Sequence, residues 1–302
     1  MPQLRRVLRR RQGLRIADLP PDRDHPYGHG KAEAVVALVV GGLLLVSAVL
    51  IVVKAFQEMM TPHEAPAAWT LAVLLVVVVD AAQTEAVLWG EGGAAQAMRP
   101  GQTVMLCPTL GPATVENQAQ RLAQMGIDCI EAPMSGGPLR AQDGSMSLMV
   151  ACSEPVWQRS QTLLQALSQR VFRVGTRAGD GARTKLVNNL LAAVNLAGAA
   201  EAMALAERLG LDPAGTLSVI EASSGQSWIG SDRMRRALAG DFEPRAHVSL
   251  LAKDTGLAVQ AADEVAFDPA LGRLARDLFA QALGQGWAAL DDAALLQLMR
   301  QR

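Results

Sequence analysis

The pattern of apolar residues changes at Gly179-Asp180-Gly181, directly before the longest helical run of the chain. Before these residues, short runs typical of strands alternate with helical runs. After them, long helical runs follow one another with only turns between. Strands that alternate with helices are typical of an α/β layer with a largely parallel sheet, and uninterrupted helices form a layer of their own. The sequence therefore predicts an α/β domain followed by an all-α domain.

The same patterns predict the individual elements. We expect strands over residues 74–79, 104–107, 128–132, 147–151 and 171–174. In the α/β part we expect a helix over residues 114–125, ended by Gly126. In the all-α part we expect helices over residues 185–209, 213–222, 231–239, 249–264 and 269–283. Asp212 is suited to cap the second of these helices, with Pro213 at its first position.

The N-terminal part of the chain contains one long apolar run. Residues 34–53 form a run of 20 residues without a charge. A helix of that length spans about 30 Å, the thickness of a bilayer core. We therefore predict a membrane-type helix there, with a buried helix of a soluble protein as the alternative. The arginines that precede it favour a cytoplasmic N-terminus.

A second apolar stretch covers residues 65–79 and ends in a β-branched run. It is short for a membrane span and predicts a buried parallel strand instead. If residues 34–53 alone cross a membrane, the rest of the chain lies outside the cytoplasm. If both stretches cross, the rest stays inside and loses that strand.

Composition excludes two classes of protein. The formal net charge is −1 and aromatic residues make up 4% of the 302 residues, so no basic or base-stacking surface for nucleic acid is expected. The three cysteines, Cys107, Cys129 and Cys152, are isolated and show no CxxC spacing. We expect them to be reduced, buried thiols, and this excludes a disulfide scaffold.

One pair of side chains points to chemistry. Lys185 and Asn189 lie four residues apart in the predicted helix, so they share one helical face, one turn apart. An amine held beside an amide is suited to proton transfer at a small oxygenated substrate. A solvated lysine at a helix start is the alternative reading of Lys185 taken alone.

Three motifs in order carry a family resemblance: residues 131–137 (EAPMSGG), residues 179–189 (GDGARTKLVNN) and Lys253-Asp254. Together they resemble the β-hydroxyacid dehydrogenases, which include 3-hydroxyisobutyrate, tartronate semialdehyde and threonate dehydrogenases. The resemblance runs from about residue 76 to the C-terminus. Residues 224–228 (SGQSW) are most similar to the threonate-type branch.

The resemblance implies roles for residues at a substrate site. Lys185 matches the catalytic lysine, which takes the hydroxyl proton in oxidation and returns it in reduction. Ser135, Gly136 and Gly137 match a loop that receives the substrate carboxylate. Asn189 matches the residue that holds substrate or lysine in register.

The resemblance also implies a cofactor, NAD or NADP, with Thr109 and Lys253 beside it. It implies a small hydroxy-acid substrate, a homodimer formed through the all-α domain, and a cytoplasmic location. The family opens with a strand, a GxGxxG turn and a helix, which hold the cofactor pyrophosphate. No such unit precedes Val76. Residues 90–95 (GEGGAA) match the spacing of the glycines in that turn. By the order of elements in the family, however, these residues correspond to a loop after the fourth strand.

A different resemblance covers the front of the chain. Residues 22–33 (DRDHPYGHGKAE), followed by the apolar run, resemble cation diffusion facilitator transporters, from about residue 20 to 72. Asp22 and His29 match metal-binding positions of that family, but two ligands make an incomplete zinc site, so we predict no metal site. The predicted organisation is a transporter-like fragment over 1–72, a partial Rossmann-like domain lacking the GxGxxG unit over 73–178, and an all-α dehydrogenase domain over 179–302.

Two hypotheses for function follow. The first is an NAD(P)-dependent oxidoreductase that transfers hydride at the hydroxyl carbon of a 3-hydroxy acid. The second is a membrane-tethered, non-catalytic fusion remnant of a cation efflux transporter and a dehydrogenase, associated with the membrane through residues 34–53.

Overall fold

The computed structural model of the protein describes residues 73–302. Within them, the first part of the chain forms a six-stranded mixed sheet with neighbours in the order β1-β2-β3-β5-β4, and β6 pairs with β5. The strands are β1 (Val73–Val76), β2 (Thr103–Leu106), β3 (Asp128–Glu131), β4 (Met134–Ser135), β5 (Ser147–Ala151) and β6 (Arg170–Gly175). Strands β1, β2 and β3 are parallel, β5 is antiparallel to β3 and β4, and β6 is parallel to β5.

Helices cover both faces of this sheet. They are α1 (Ala81–Trp89), α2 (Ala94–Ala97), α3 (Pro112–Gln124), α4 (Gly137–Gln142) and α5 (Glu154–Leu167). Strand β2 is buried on both faces because Val104 and Leu106 pack into one apolar cluster and Met105 into the other. This is the alternation that a central strand between two helical layers requires.

Strand β1 is parallel, as predicted, but the prediction that it is buried is only partly correct. Val76 is buried, whereas Leu75, Val77 and Val79 at and after the strand are exposed. Among residues 73–302, β1 pairs with β2 alone, so it forms one edge of the sheet. The continuous apolar run therefore predicted the strand and its direction, but not its exposure.

The second part of the chain is helical. Its elements are α6 (Asp180–Arg208), α7 (Pro213–Glu221), α8 (Trp228–Leu238), α9 (Val248–Glu264), α10 (Ala270–Gly284), a 3₁₀ helix (Asp292–Ala294) and α11 (Leu295–Arg300). By length and composition α6 is apolar enough to cross a membrane. Its buried residues instead form the centre of the helical core, with Phe279 of α10 and Leu296 of α11 packed around it.

Most predicted elements are confirmed, with boundaries shifted by a few residues. Asp212 caps α7 as expected, since its carboxylate accepts a hydrogen bond from the Gly215 N–H at 2.8 Å. Strand β4 and the helices α1, α2, α4, α5 and α11 were not predicted from the sequence. Of these, β4, α2, α4 and α11 are six residues or shorter, whereas α5 buries Val156, Ser160 and Leu164 at a regular helical spacing that could have predicted it. Cys107, Cys129 and Cys152 are free, as predicted; the first and last are buried and Cys129 is only partly exposed.

Several predictions lie outside the described residues. These are the membrane-type helix over 34–53, the transporter-like fragment over 20–72 and the possible ligands Asp22 and His29.

Candidate active site

The helix that carries Lys185 begins at a buried carboxylate. Glu131, at the end of β3, accepts hydrogen bonds from the backbone N–H groups of Gly179 (2.9 Å), Gly181 (3.0 Å) and Ala182 (2.5 Å). These are among the N–H groups that a helix start leaves without a partner, and a negative charge there is favoured by the helix dipole. Glu131 therefore ties the first turn of α6 to the sheet.

Both glycines at this helix start are required by the structure. Gly179 has φ +91°, a conformation that residues with a side chain rarely adopt. A Cβ on Gly181 would lie 2.8 Å from the Glu131 carboxyl carbon and 2.9 Å from the Met149 carbonyl oxygen. The glycines that the sequence shows before the helix are explained by this close contact with β3 and β5.

Burial raises the pKa of Glu131 to about 7, while its three backbone hydrogen bonds lower it. Desolvation disfavours the ionised form, and the three N–H donors favour it. Glu131 is thus a buried acid at the base of the helix that carries the candidate catalytic lysine.

One turn further along α6, Lys185 and Asn189 are both buried, at 6% and 8% exposure. Burial lowers the pKa of the Lys185 ammonium to about 8; the carboxylate of Asp254 opposes that shift and the ammonium of Lys253 adds to it. A lysine with such a pKa exchanges a proton near neutral pH.

Asp254 of α9 organises the polar groups around Lys185. One of its oxygens accepts a hydrogen bond from the Asn189 side-chain amide at 2.5 Å, and the other accepts one from Lys253 at 2.7 Å. Lys253 also donates to the backbone carbonyl of Thr109 at 2.8 Å. This connects α6, α9 and the loop after β2 through a single buried carboxylate.

These residues open onto one cavity of about 560 Å³. It is lined by all seven site residues that the sequence predicts: Thr109, Ser135, Gly136, Gly137, Lys185, Asn189 and Lys253. Gly136 and Gly137 follow β4 with φ +138° and +72°, so neither position suits a residue with a side chain. The structure brings the predicted residues together; their roles stay predictions.

The cavity has a second end that the sequence did not predict. It follows α6 from Lys185 to Asn195, about 15 Å at the rise of an α-helix. That end is lined by Trp228 and Arg233 of α8 and by Arg245 from the loop before α9. The signal for Trp228 was its place in the motif over residues 224–228, but nothing in the sequence separates Arg233 from the chain's other arginines.

The charges at this second end are paired. Arg233 is buried and donates to Asp292 (2.5 Å) and Asp232 (2.5 Å). Arg245 donates to Asp241 at 3.1 Å. The second end is therefore polar but close to neutral.

The opposite end of the cavity fits the nicotinamide part of a dinucleotide. It is lined by Val78 and Val79, which follow β1, and by Pro108 and Thr109, which follow β2. Ligands of open α/β sheets bind at the carboxyl ends of parallel strands, and these residues occupy that place beside Lys185. They form an apolar slot with one hydroxyl.

A cradle for the cofactor pyrophosphate is not found among residues 73–302. Gly90 and Gly93 lie between α1 and α2 and do not line the cavity. A Cβ on either would lie 2.5 Å from a carbonyl oxygen of α1, so these glycines allow the chain to turn tightly over that helix. The described residues thus fit one end of the cofactor and not the other.

Comparisons with known proteins agree with this geometry. Residues 179–299 match the family model described as the NAD-binding domain of NADP-dependent 3-hydroxyisobutyrate dehydrogenase. Residues 46–175 match the NAD binding domain of 6-phosphogluconate dehydrogenase, a match that begins inside the segment predicted to be transporter-like. The two models identify NAD(P) as the cofactor class.

Individual proteins are similar over most of the chain. The L-threonate dehydrogenase of Cupriavidus necator is 38% identical over 226 residues, covering 75% of this chain and 76% of that protein. The L-threonate dehydrogenase of Escherichia coli K12 is 36% identical, covering 74% of each chain. A crystal structure of 3-hydroxyisobutyrate dehydrogenase from Salmonella typhimurium is 34% identical with a TM-score of 0.71, covering 75% of this chain and 79% of that one.

Proposed function

Because the chain belongs to the β-hydroxyacid dehydrogenase family, we propose that it oxidises a small 3-hydroxy acid with NAD or NADP, and that Lys185 is the acid–base group. The observation that carries the proposal is the placement of a buried lysine, with its pKa lowered to about 8, in the cavity that also holds the Ser135 loop and the carboxyl ends of β1 and β2.

The proton step follows from the state of Lys185. In oxidation the neutral amine accepts the hydroxyl proton as the hydroxyl carbon gives up its hydride, and in reduction the ammonium returns that proton. Lys185 suits both directions because burial disfavours its charge while Asp254 stabilises it. Bound nicotinamide supplies the hydride acceptor or donor. Asn189, held by Asp254, lies one turn away on the same cavity wall and orients the hydroxyl.

The substrate carboxylate is assigned to the loop of Ser135, Gly136 and Gly137. A hydroxyl and backbone N–H groups recognise a carboxylate without placing a fixed countercharge beside Lys185. Thr109 and Lys253 are assigned to the cofactor end, because Lys253 donates to the Thr109 carbonyl next to the slot of Val78 and Pro108.

The second end of the cavity favours a hydroxylated acid of the threonate type. Arg233 and Arg245 are already paired with aspartates, so a second carboxylate would meet no free positive charge there. The amide of Asn195 and the paired ions suit additional hydroxyl groups. Two of the similar proteins carry the name L-threonate dehydrogenase.

We further propose a homodimer through the helical part. Val187 and Leu191 of α6, and Leu271 and Leu274 of α10, are each more than half exposed. The two helices touch where a Cβ on Gly272 would lie 2.6 Å from the Leu190 side chain, so these apolar residues form neighbouring surface. Leu191 also lines the cavity, so a second copy bound to this surface would lie beside the site. Light scattering of the Leu274→Asp variant tests this proposal, because we expect monomers where the native chain forms dimers.

The activity test uses the full chain with L-threonate and either NAD or NADP, followed by the absorbance of reduced nicotinamide. Turnover with the native chain and its loss in Lys185→Ala support the proposal. Absence of turnover, together with absence of tryptophan quenching by either reduced cofactor, would favour the alternative: a non-catalytic fusion remnant tethered through residues 34–53. We place the enzyme in the cytoplasm, as implied by its family.

A further inference from the structure

Two arginines contact one tryptophan where the two parts of the chain meet. The guanidinium carbon of Arg140, on α4, lies 4.5 Å from the centre of the Trp228 ring. That of Arg233 lies 6.0 Å from the same ring. A guanidinium over an indole face is attracted by the negative potential of the ring. Since α4 belongs to the α/β part and α8 to the helical part, Trp228 connects the two.

The two arginines are held very differently. Arg233 is buried and fixed by Asp232 and Asp292. Arg140 is partly exposed, and it has no salt-bridge partner within residues 73–302. The face of the Trp228 ring is the contact across the two parts of the chain that the structure shows for the Arg140 guanidinium. On the helical side the ring is thus flanked by an arginine with two carboxylate partners, and on the α/β side by one whose contact with the ring can be removed without breaking a salt bridge.

The stem of Arg140 also packs on the predicted carboxylate loop. A Cβ on Gly136 would lie 2.8 Å from the Arg140 Cδ and 2.9 Å from its Cβ. Gly136 therefore has no room for a side chain because the Arg140 stem covers it. One side chain touches the loop at its base and Trp228 at its tip.

We infer that the Arg140–Trp228 contact fixes the loop of Ser135–Gly137 against the helical part, so that an acid bound in the loop is held in register with Lys185. The inference rests on the proposed function. Arg140 and Trp228 are positioning residues: Trp228 lines the cavity, and Arg140 acts through it. Releasing the contact loosens the loop, so acid binding weakens while proton transfer by Lys185 is little changed.

The test measures L-threonate binding to the full chain by calorimetry, together with KM and kcat. Arg140→Met keeps the stem over Gly136 and removes the cation, so we expect Kd and KM to rise about fivefold, as for loss of one cation–π contact, with kcat within about twofold. Arg140→Lys should recover part of the affinity. Trp228→Leu should raise Kd at least as much as Arg140→Met, because it also removes the Arg233 contact and part of the cavity lining. The double variant should be no worse than Trp228→Leu alone, because the contact made by Arg140 is already lost with the ring.

Arg121→Met is the matched control. Its guanidinium lies 4.0 Å from the centre of the Trp89 ring, and neither residue lines the cavity. The same kind of contact is removed there, together with an exposed salt bridge to Glu85, so no change in Kd for L-threonate is expected. Thermal unfolding of every variant separates weakened binding from lost folding. Trp228→Phe keeps an aromatic face under Arg140, so it should retain most of the affinity that Trp228→Leu loses.

The outcomes separate the two proposals. Unchanged Kd and KM in Arg140→Met, with the native chain binding and oxidising the acid, would overturn the inference and leave the proposed function standing. Additive losses in the double variant would overturn it too. No binding of L-threonate by the native chain, with no turnover, would overturn both.

Discussion

Buried cations are stabilised differently at the two ends of the cavity. At the Lys185 end, one carboxylate, Asp254, serves two lysines and an amide, and the pKa of Lys185 falls to about 8. At the Arg233 end, the Arg233 guanidinium has two carboxylate partners, Asp232 and Asp292. Burial lowers the pKa of that guanidinium, but its two carboxylates outweigh burial and raise it above the ordinary value.

The difference follows from the two cations. A lysine ammonium loses its proton readily when burial removes the water that solvates it. A guanidinium stays charged under the same conditions and must be paired with a carboxylate. The Lys185 end is therefore suited to exchange a proton, whereas the ion pairs of the Arg233 end stabilise the fold around the cavity. Four sets of variants test this difference between the two ends.

The largest effect is expected on stability at the Arg233 end. Asp292→Ala leaves a buried guanidinium short of its main partner, which costs about 3–5 kcal/mol of unfolding free energy. Chemical denaturation measures it. Asp268→Ala is the control: Asp268 pairs with Arg273 at 2.7 Å, but its side chain is 75% exposed, so the loss should stay below about 1 kcal/mol. Equal losses in both variants would contradict the rigid role of the Arg233 end.

Lys185→Ala should lower kcat for oxidation roughly 100-fold or more, because a positioned acid–base group contributes about 10²–10⁴. Steady-state kinetics with saturating acid and cofactor measures it. Lys253→Ala, which removes a lysine from the cofactor end, should chiefly raise the KM for the cofactor. An unchanged kcat in Lys185→Ala would refute the acid–base assignment.

The same lysine should destabilise the fold at neutral pH. Its folded pKa of about 8 lies below the ordinary 10.5, so the folded state disfavours the ammonium throughout the range below pH 8. That penalty shrinks as pH rises from 8 to 10.5 and then vanishes. Lys185→Met should therefore be more stable than the native chain at pH 7, by roughly 3 kcal/mol, with the gap closing above pH 8. A gap that does not change with pH would contradict this account.

The smallest effect is a matched pair of shifts in the pH profile of oxidation. Asp254→Asn removes the carboxylate that raises the pKa of Lys185, so the rise of kcat with pH should move to lower pH. Lys253→Met removes the cation that lowers it, so the rise should move to higher pH. Each shift is expected to be about one pH unit or less. Shifts of the same sign would exclude Lys185 as the titrating group.

The sequence predicted which residues lie together at the Lys185 end, whose roles stay predictions, and it predicted hardly anything of the Arg233 end. Lys185 and Asn189 are related by helical spacing, and the glycines around them mark backbone positions that only glycine tolerates. Arg233 and Asp292 lie 59 residues apart, and their pairing depends on how α8 packs against the 3₁₀ helix. No local pattern in a single sequence records such a contact.

Glu131 and Asp254 illustrate the same limit. Both stand inside motifs that the sequence showed, yet neither received a role, because the helix start that Glu131 caps and the amide that Asp254 accepts from belong to another element. The order of strands and helices could be predicted because their periods are local. The exposure of β1 could not, since it depends on which strands lie beside it.

The capping of α6 by Glu131 restricts how this protein could be divided by evolution or in the laboratory. The first turn of α6 is anchored in the sheet, and its later turns form the middle of the helical core. Consider a chimera in which the sheet comes from a relative and this chain begins at residue 179. Helix α6 would then depend on the relative's residue at position 131 for the carboxylate that caps its first turn. Exchangeable modules would have to carry residue 131 and the Gly179–Ala182 turn together, so the unit of recombination is wider than either domain.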